Sequence, residues 1–163
     1  MTTDRTPKSA AVSVTTAAGT FRVGGMAKGA GMIEPHMATM LGFVTTDAAV
    51  APPLLQRALR DAVDVTFNAI TIDGDTSTND TVFLLASGAS QVQIGDSLYP
   101  AFVAGLREVC GALARAIVRG GEGATKLVSI SATGAASAAD ARRAARTLAN
   151  SLPVCNRKFS FQR

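Results

Sequence analysis

The chain has 163 residues, of which 47% are hydrophobic and 17% charged, a composition typical of a globular domain and unlike that of a disordered segment. No apolar run is long enough to cross a bilayer, and residues 1–9 are not followed by the apolar core of an export signal. We therefore expect a soluble, cytoplasmic protein that does not enter a membrane.

The first 46 residues predict three strands and one glycine-rich loop. Alternating β-branched residues predict strands over about residues 10–16 and 20–26, joined by a short turn. Residues 39–46 are predicted to form a third strand, apolar throughout and therefore buried. The stretch between the second and third strands is too rich in glycine for a helix or a strand, and we expect a loop at Gly24, Gly25, Gly29 and Gly31.

Three helices are predicted in the rest of the chain. Pro52 and Pro53 indicate a helix start, and the apolar residues that follow recur every four positions: Leu55, Leu59, Val63 and Phe67. A second helix is predicted over residues 98–119, with an apolar face formed by Phe102, Leu106, Val109, Leu113 and Ile117. Ser137 and Asp140 form a capping-box pattern, which predicts the start of the last helix.

Strands are interleaved with these helices. A buried strand is predicted over residues 81–86 and another strand over residues 127–133. This alternation predicts an α/β fold that forms one structural unit without an internal boundary.

Metal binding is not predicted. His36 is the only histidine, and Cys110 and Cys155 lie far apart without metal-ligand spacing. The acidic loop 73–80 begins like a calcium loop but has Thr78 and Leu84 where that motif needs glycine and glutamate. We expect this loop to satisfy local backbone groups beside a site, both thiols to be free, and Cys110 to be a small core residue.

The positive charge is concentrated in the second half of the chain. Residues 101–163 carry 10 Lys/Arg and 3 Asp/Glu, whereas residues 1–100 carry 6 and 9. A basic half can indicate nucleic-acid binding, here through Arg142, Arg143 and Arg146. Because only one Tyr and no Trp are present for base stacking, solvated helix faces explain the charge better, and we expect no nucleic-acid partner.

Three further features carry chemistry. Lys28, within the glycine run, offers a positive charge to a carboxylate ligand, although a plain turn is the simpler interpretation. Thr39 follows the small residue Ala38; a threonine freed at its N-terminus has its own amine as a general base, but a threonine at a strand start is more often structural. Glu122, flanked by glycines, suits the binding of a substrate ammonium group, but it is equally typical of an acidic loop residue exposed to solvent.

Five runs in fixed order resemble the ornithine acetyltransferase family, the bifunctional proteins of arginine biosynthesis. They are M-T-T-D at 1–4, G-G-M-A-K-G-A-G-M-I-E-P-H-M-A-T-M-L at 24–41, T-T-D-A-A at 45–49, F-N-A-I-T-I-D-G-D-T-S-T-N-D-T at 67–81 and E-G-A-T-K at 122–126. The resemblance covers roughly residues 1–151, and its long central run is highly specific.

The resemblance implies a fold and a mechanism. The fold would be α/β, part of a layered αββα sandwich. Family members cut themselves at the Ala-Thr bond of the central run, here Ala38–Thr39, into α and β chains that form a heterotetramer. The new N-terminal threonine transfers acetyl from N-acetylornithine to glutamate, and bifunctional members also use acetyl-CoA as donor. By position, Thr39 would be the nucleophile, and the substrate would be bound by Thr2, Lys28, Thr39 and Glu122.

The resemblance also implies a domain organisation and an alternative function. Residues 1–38 would be the end of the α-chain region, residues 39–151 the start of the β-chain region, and residues 152–163 a divergent, frameshifted or truncated tail. Family proteins are more than twice as long, and the Thr-Gly pair that forms their oxyanion hole precedes the matching segment. The alternative is therefore a truncated, catalytically incompetent fragment that needs complementary segments.

Overall fold

The computed structural model describes residues 4, 6–31, 33, 40–74 and 80–151. The chain divides into two compact units, Met1–Thr125 and Lys126–Arg163, in place of the single unit that the sequence predicted. Within the described ranges, no helix is both long and apolar enough to cross a membrane.

A four-stranded mixed sheet forms the centre of the first unit. Its strands are β1 (Lys8–Thr16), β2 (Gly19–Lys28), β3 (Leu41–Thr46) and β5 (Thr81–Ala86), in the order β1-β2-β3-β5. Neighbours from β1 to β3 are antiparallel, whereas β3 and β5 are parallel. A separate parallel pair is formed by β4 (Ala49–Val50) and β6 (Gln93–Ile94).

Two helices lie on one side of this sheet. α2 (Tyr99–Arg119) packs across β1 and β2, and α1 (Pro52–Val63) packs against α2 and β5. The predicted apolar face of α2 is confirmed, because all its members are buried: Phe102, Leu106, Val109, Leu113 and Ile117. The ring of Phe102 lies 5.9 Å from that of Phe21 in β2. The predicted α/β class is confirmed, and in the first unit α1 and α2 cover one face of the four-stranded sheet.

Helix α1 is shorter than its apolar pattern predicted. It ends at Val63, and Phe67, although buried as expected, begins a separate 3₁₀ turn (Phe67–Ala69). The hydroxyl of Thr66 donates a hydrogen bond to the Ala62 carbonyl oxygen at 2.7 Å, while the Thr66 amide donates to Val63. The side chain thus uses the carbonyl that a continuing α-helix would need, which ends the helix.

The strand β3 is buried on one face only, and β5 is no more than half-buried on that face, which corrects the prediction that both are fully buried. Val44 is 0% exposed, whereas Phe43, Phe83 and Leu85 are 41%, 47% and 54% exposed. Successive strand residues point to opposite faces, and the helices cover only one of them. Phe43 and Phe83 stack with ring centroids 5.3 Å apart, and Met26 is the register partner of Phe43. We call Met26, Phe43, Phe83 and Leu85 the open apolar face.

The glycine-rich run is partly strand, not loop as predicted. β2 continues through Gly24 and Gly25 to Lys28, and the loop begins only at Gly29. A Cβ at Gly25 would lie 2.9 Å from the Phe43 carbonyl oxygen and 3.3 Å from Leu113 Cδ1. Glycine therefore allows the close approach of β3 and α2 at this point.

The second unit contains one helix among its described residues, α3 (Ala138–Ala149). Its predicted cap is confirmed, since the Ser137 hydroxyl oxygen accepts a hydrogen bond from the Asp140 amide at 3.1 Å. The strand predicted over residues 127–133 is not present: the segment has no regular structure, and Val128 is 64% exposed. Alternation yields a strand only where a neighbour pairs with its backbone, and no described strand does so here.

Gly25→Ala is expected to lower the free energy of unfolding by about 1–3 kcal/mol, because the added methyl group overlaps the Phe43 carbonyl oxygen. Gly24→Ala is the matched control: its Cβ would lie 3.7 Å from the Ala11 Cβ, an ordinary contact, and should change the stability by less than about 0.5 kcal/mol. Urea unfolding followed by circular dichroism measures the free energy of unfolding of both variants. Equal effects would contradict a packing role specific to Gly25.

Candidate active site

The predicted site residues fall partly within the described chain. Lys28 and Glu122 are described, whereas Thr2, Ala38 and Thr39 lie outside the described residues. On either side of the predicted cleavage bond, the nearest described residues are Ile33 and Met40.

The Met40 end is fixed by Asp80 and by the start of β5. The Met40 amide donates a hydrogen bond to Asp80 Oδ1 at 2.5 Å, and the Met40 carbonyl oxygen accepts one from the Thr81 amide at 3.2 Å. This pair of bonds fixes Met40, the residue that directly precedes β3 and directly follows Thr39 in the sequence.

The Ile33 end is fixed in the same way. The Ile33 amide donates to Asp73 Oδ1 at 3.0 Å, and the Ile33 carbonyl oxygen accepts from the Ile72 amide at 2.8 Å. In each case the carboxylate comes from a residue 40 positions later in the sequence. Asp73 and Asp80 therefore bind Ile33 and Met40, the two described ends of residues 33–40, which we call the cleavage segment.

Lys28 lies at the same end of the sheet as Asp80. It is the last residue of β2 and the register partner of Leu41, which in turn pairs with Thr81 in β5. Its side chain is exposed, and its positive charge offsets part of the increase that burial causes in the pKa of Asp80. A cationic side chain is thus present beside Leu41, where β3 begins.

Asp80 has one carboxylate oxygen, Oδ2, that is buried without a hydrogen-bond partner among the described residues. Burial raises the pKa of Asp80 above its ordinary value, and the Met40 amide and the Lys28 charge offset this increase only in part. A buried acceptor without a donor is destabilising, so this oxygen needs a functional explanation.

Glu122 lies beside the loop that follows Lys28. Its amide donates a hydrogen bond to the Ala30 carbonyl oxygen at 2.6 Å. A Cβ placed on Gly31 would lie 3.5 Å from Glu122 Oε2 and 3.6 Å from Asp73 Oδ2. Two carboxylates therefore flank this glycine, and together they attract a cationic group.

A buried ion pair holds the other side of the same loop. The Lys8 side chain is 1% exposed and forms an ion pair with Asp4, whose Oδ2 accepts a hydrogen bond from the Gly29 amide at 3.0 Å. Burial by itself raises the pKa of Asp4, but the hydrogen bonds from Lys8 and Gly29 outweigh it, so the pKa lies below its ordinary value. Asp4, the last residue of the M-T-T-D run, is thus attached to the loop that follows Lys28.

Thiol and metal chemistry have no support in the described residues. Cys110 is a free, buried cysteine, and burial raises the pKa of its thiol to about 12. It is therefore not a thiolate nucleophile near neutral pH, and its predicted place in the core is confirmed; Cys155 lies outside the described residues. No group of three or more His, Cys, Asp or Glu in the described ranges could hold a metal ion.

Sequence reasoning did not identify the aspartates that organise this site. Asp4, Asp73 and Asp80 each accept a hydrogen bond from a backbone amide far away in the sequence. The loop 73–80 was expected to satisfy local groups, and the structure corrects this expectation for its two ends. All three aspartates lie within runs that carried the family resemblance, which is the signal that could have identified them.

Comparisons with known proteins agree with the fold and with the family resemblance of the sequence. The model of the ArgJ family matches residues 1–156. The arginine biosynthesis bifunctional protein ArgJ of Symbiobacterium thermophilum is 53% identical over 154 residues, and that of Chlorobium chlorochromatii is 57% identical over 152 residues. Each alignment covers 93% of this chain, but only 38% and 35% of the respective relative.

A solved structure gives the same result. The crystal structure of the arginine biosynthesis bifunctional protein argJ from Bacillus halodurans matches with a TM-score of 0.68 and 44% sequence identity, covering 71% of this chain and 56% of that chain. The fold and the sequence are those of an enzyme family of arginine biosynthesis. The chain belongs to the ArgJ family, and it spans 35–38% of the length of the two curated relatives named above.

Asp4→Asn is expected to lower the free energy of unfolding at neutral pH by about 2–3 kcal/mol, since it leaves the buried Lys8 ammonium without its counter-charge. The folded-state pKa of Asp4 is lowered. Its contribution is therefore complete above the unfolded-state pKa and is lost as pH falls through the folded-state pKa. The difference between wild type and variant should thus shrink in acid.

The control for this prediction is Arg22→Met, which breaks an exposed ion pair with Asp47 in which the Arg22 side chain is 75% exposed. We expect this change to cost less than about 1 kcal/mol. Thermal unfolding at neutral and acid pH measures the stability of wild type, Asp4→Asn and Arg22→Met. A difference between wild type and Asp4→Asn that does not depend on pH would contradict the assigned ion pair.

Proposed function

We propose that this chain carries the self-cleaving acetyl-transfer site of a glutamate N-acetyltransferase, with Thr39 as its nucleophile. The observation that carries the proposal is the convergence of Lys28 and Glu122 on one loop at the end of the sheet where β3 begins. Both residues match substrate-binding positions of the family, and β3 begins two residues after Thr39.

In the proposed self-cleavage, Thr39 Oγ1 attacks the carbonyl carbon of Ala38. The Ala38–Thr39 C–N bond breaks, the hydroxyl proton passes to the Thr39 nitrogen, and an ester joins the two products. Water then hydrolyses the ester to a carboxylate on Ala38 and restores the Thr39 hydroxyl. Anchors at both ends of the cleavage segment support this step, because restricting the reacting groups lowers the entropic part of the barrier.

In the proposed transfer, the freed α-amine of Thr39 acts as the general base for its own hydroxyl. Oγ1 attacks the acetyl carbonyl of N-acetylornithine, the amide C–N bond breaks, and ornithine leaves with the proton on its nitrogen. The acetyl ester on Thr39 is then attacked by the amine of glutamate, which gives N-acetylglutamate and restores the hydroxyl. Acetyl-CoA is an alternative acetyl donor for the same ester.

The charges at the site suit these substrates. Glu122 and Asp73 flank Gly31 and favour the ammonium group of an amino acid, whereas the exposed Lys28 favours a carboxylate. Thr2 is the remaining proposed contact, and the hydrogen bond from Gly29 to Asp4 supports a place for its run beside the same loop. By analogy with the family, the active assembly would be an α/β heterotetramer.

The open apolar face supports a second candidate, a polypeptide that is catalytically incompetent until complementary segments join it. Phe43, Phe83 and Leu85 expose 41–54% of their surface on one side of the sheet, and contiguous exposed apolar surface commonly marks an interaction site. The chain also spans only 35–38% of its relatives' length. Under this proposal the hydrogen bonds from Ile33 and Met40 to Asp73 and Asp80 are present. Catalysis begins only when a complementary segment covers the open apolar face.

Thr39→Ala is expected to abolish self-cleavage, because it removes the attacking hydroxyl, whereas Thr39→Ser should still be cut since it keeps one. Intact-mass spectrometry of purified wild type should show products 1–38 and 39–163. Cys155→Ser is the neutral control and should be cut like wild type. One uncut chain in every protein would reject self-cleavage by this polypeptide and favour the second candidate.

Glu122→Gln is expected to weaken N-acetylornithine binding by about 10- to 100-fold, because it removes the charge from a hydrogen bond to an ammonium group. Isothermal titration calorimetry in the non-cleaving Thr39→Ala background measures the affinity without turnover. Glu108→Gln, an exposed glutamate on α2, is the matched control and should bind like the parent. Equal affinities in both variants would remove Glu122 from the proposed site.

A further inference from the structure

Strand β5 forms one edge of the four-stranded sheet, and no described strand pairs with its outer side. At its start, the Thr81 amide donates to the Met40 carbonyl oxygen at 3.2 Å. Just past its end, the Ser87 amide donates to the Thr46 carbonyl oxygen at 3.0 Å. The odd-numbered residues thus bond toward β3, and backbone groups alternate in direction along a strand. The even-numbered residues therefore direct their N–H and C=O groups outward: Val82, Leu84 and Ala86.

This edge lacks the features that usually prevent a sheet edge from pairing with another chain. Natural edge strands carry charged residues, proline or a bulge, or they are covered by another element. Residues 81–86 read T-V-F-L-L-A, and each is at least partly exposed. The opposite edge, β1, presents mainly hydroxyl side chains on its exposed side, including Ser9, Ser13 and Thr15. β5 is therefore the edge that suits an apolar partner strand.

An open apolar groove lies beside this edge, between α1 and β5. Its lining carries no charge: Pro52, Leu55, Gln56, Leu59 and Leu84. The groove volume is about 200 Å³, below the roughly 300–1,000 Å³ of sites that bind small molecules. It therefore fits an aliphatic side chain from a neighbouring strand better than a free ligand.

We propose that β5 pairs antiparallel with β5 of a second copy of this chain, about a two-fold axis at Leu84. Leu84 then exchanges both outward hydrogen bonds with Leu84 of the second copy, and Val82 exchanges its bonds with Ala86. Phe83 lies opposite Leu85 on the open apolar face. Leu84 of each copy lies beside the groove of the other copy. The two four-stranded sheets become one continuous sheet.

The charge distribution favours a second copy as the partner. A two-fold axis places each surface against itself, so a charged edge would meet a like charge. Here neither the strand nor the groove carries a charge. Asp80, just before β5, lies opposite Gly88 in this pairing and not opposite another carboxylate. The inference goes beyond the proposed function and holds whether or not Thr39 is a nucleophile.

Sedimentation equilibrium over a range of concentrations tests the pairing. The Thr39→Ala chain is used, because it stays uncut whatever the outcome of the proposed self-cleavage. We expect a reversible equilibrium between one chain and a dimer. Val82→Pro removes an outward N–H, a change that edge strands tolerate, and should weaken the dimer about 10-fold, since two hydrogen bonds are lost across the axis.

Two further variants separate edge pairing from association through the open apolar face. Leu85→Lys places a charge on an exposed position of β5 and should also weaken the dimer. Met26→Lys is the matched control, because Met26 is 62% exposed on the same face but lies in β2, away from the edge. It should dimerise like the parent. Circular dichroism establishes that each variant is folded, and Leu85→Lys decides the test if Val82→Pro is not.

Disulfide formation tests the register. The pairing places Phe83 about 4.5 Å from Leu85 of the second copy between Cα atoms, within the range of a disulfide. Two Phe83 residues lie about 8 Å apart, which is too far. In a Cys155→Ser background, a mixture of Phe83→Cys and Leu85→Cys chains should therefore form disulfide-linked dimers on mild oxidation, whereas neither variant should do so alone.

Three outcomes would overturn the inference. A chain that stays monomeric at every concentration would show that β5 does not pair with itself. Equal weakening of the dimer by Met26→Lys and by Leu85→Lys would assign association to the open apolar face. A disulfide formed by Phe83→Cys alone, or by no combination, would contradict the axis at Leu84.

Discussion

The structure around the cleavage segment depends on two backbone amides that are bound by carboxylates from one distant loop. Asp73 and Asp80 each accept an amide from a residue 40 positions earlier, and each anchor is completed by a reciprocal backbone bond. Because β3 and β5 are parallel neighbours, Met40 and Asp80 necessarily meet where both strands begin. The strand pairing therefore brings the acidic loop to the segment it holds, and Lys28 reaches the same point through its register with Leu41.

The helices and their faces were predictable from local periodicity, whereas the sheet environment was not. The apolar face of α2 and the cap of α3 follow from side chains within a turn or two of each other, and both were predicted correctly. Burial of β3 and β5 was predicted wrongly, because an apolar strand sequence does not reveal whether one face or both will be covered. The end of α1 depends on a hydroxyl–carbonyl bond from Thr66 that apolar spacing does not report.

The same distinction holds at the site. Motif resemblance predicted Lys28 and Glu122 as site residues, and the structure describes both beside one loop. Their roles stay predictions, as do those of Thr2, Ala38 and Thr39. The aspartates escaped residue-by-residue reasoning since Asp, Ser, Thr and Asn in a loop usually satisfy nearby backbone groups. Here Asp73 and Asp80 bind amides that are distant in sequence. Such hydrogen-bond partners depend on which strands are neighbours in the sheet, and the sequence alone did not reveal the strand order.

This topology has a consequence for the timing of the proposed chemistry. The anchors of the cleavage segment come from residues beyond it in the chain, and the Met40 anchor exists only when β5 pairs with β3. An isolated peptide spanning residues 33–40 would have neither carboxylate, so its hydroxyl and carbonyl would not be held together. Self-cleavage would then follow the folding of the sheet and report on it. Under this proposal, a chain that cuts itself has paired β3 with β5 correctly, whether or not a complementary segment covers the open apolar face.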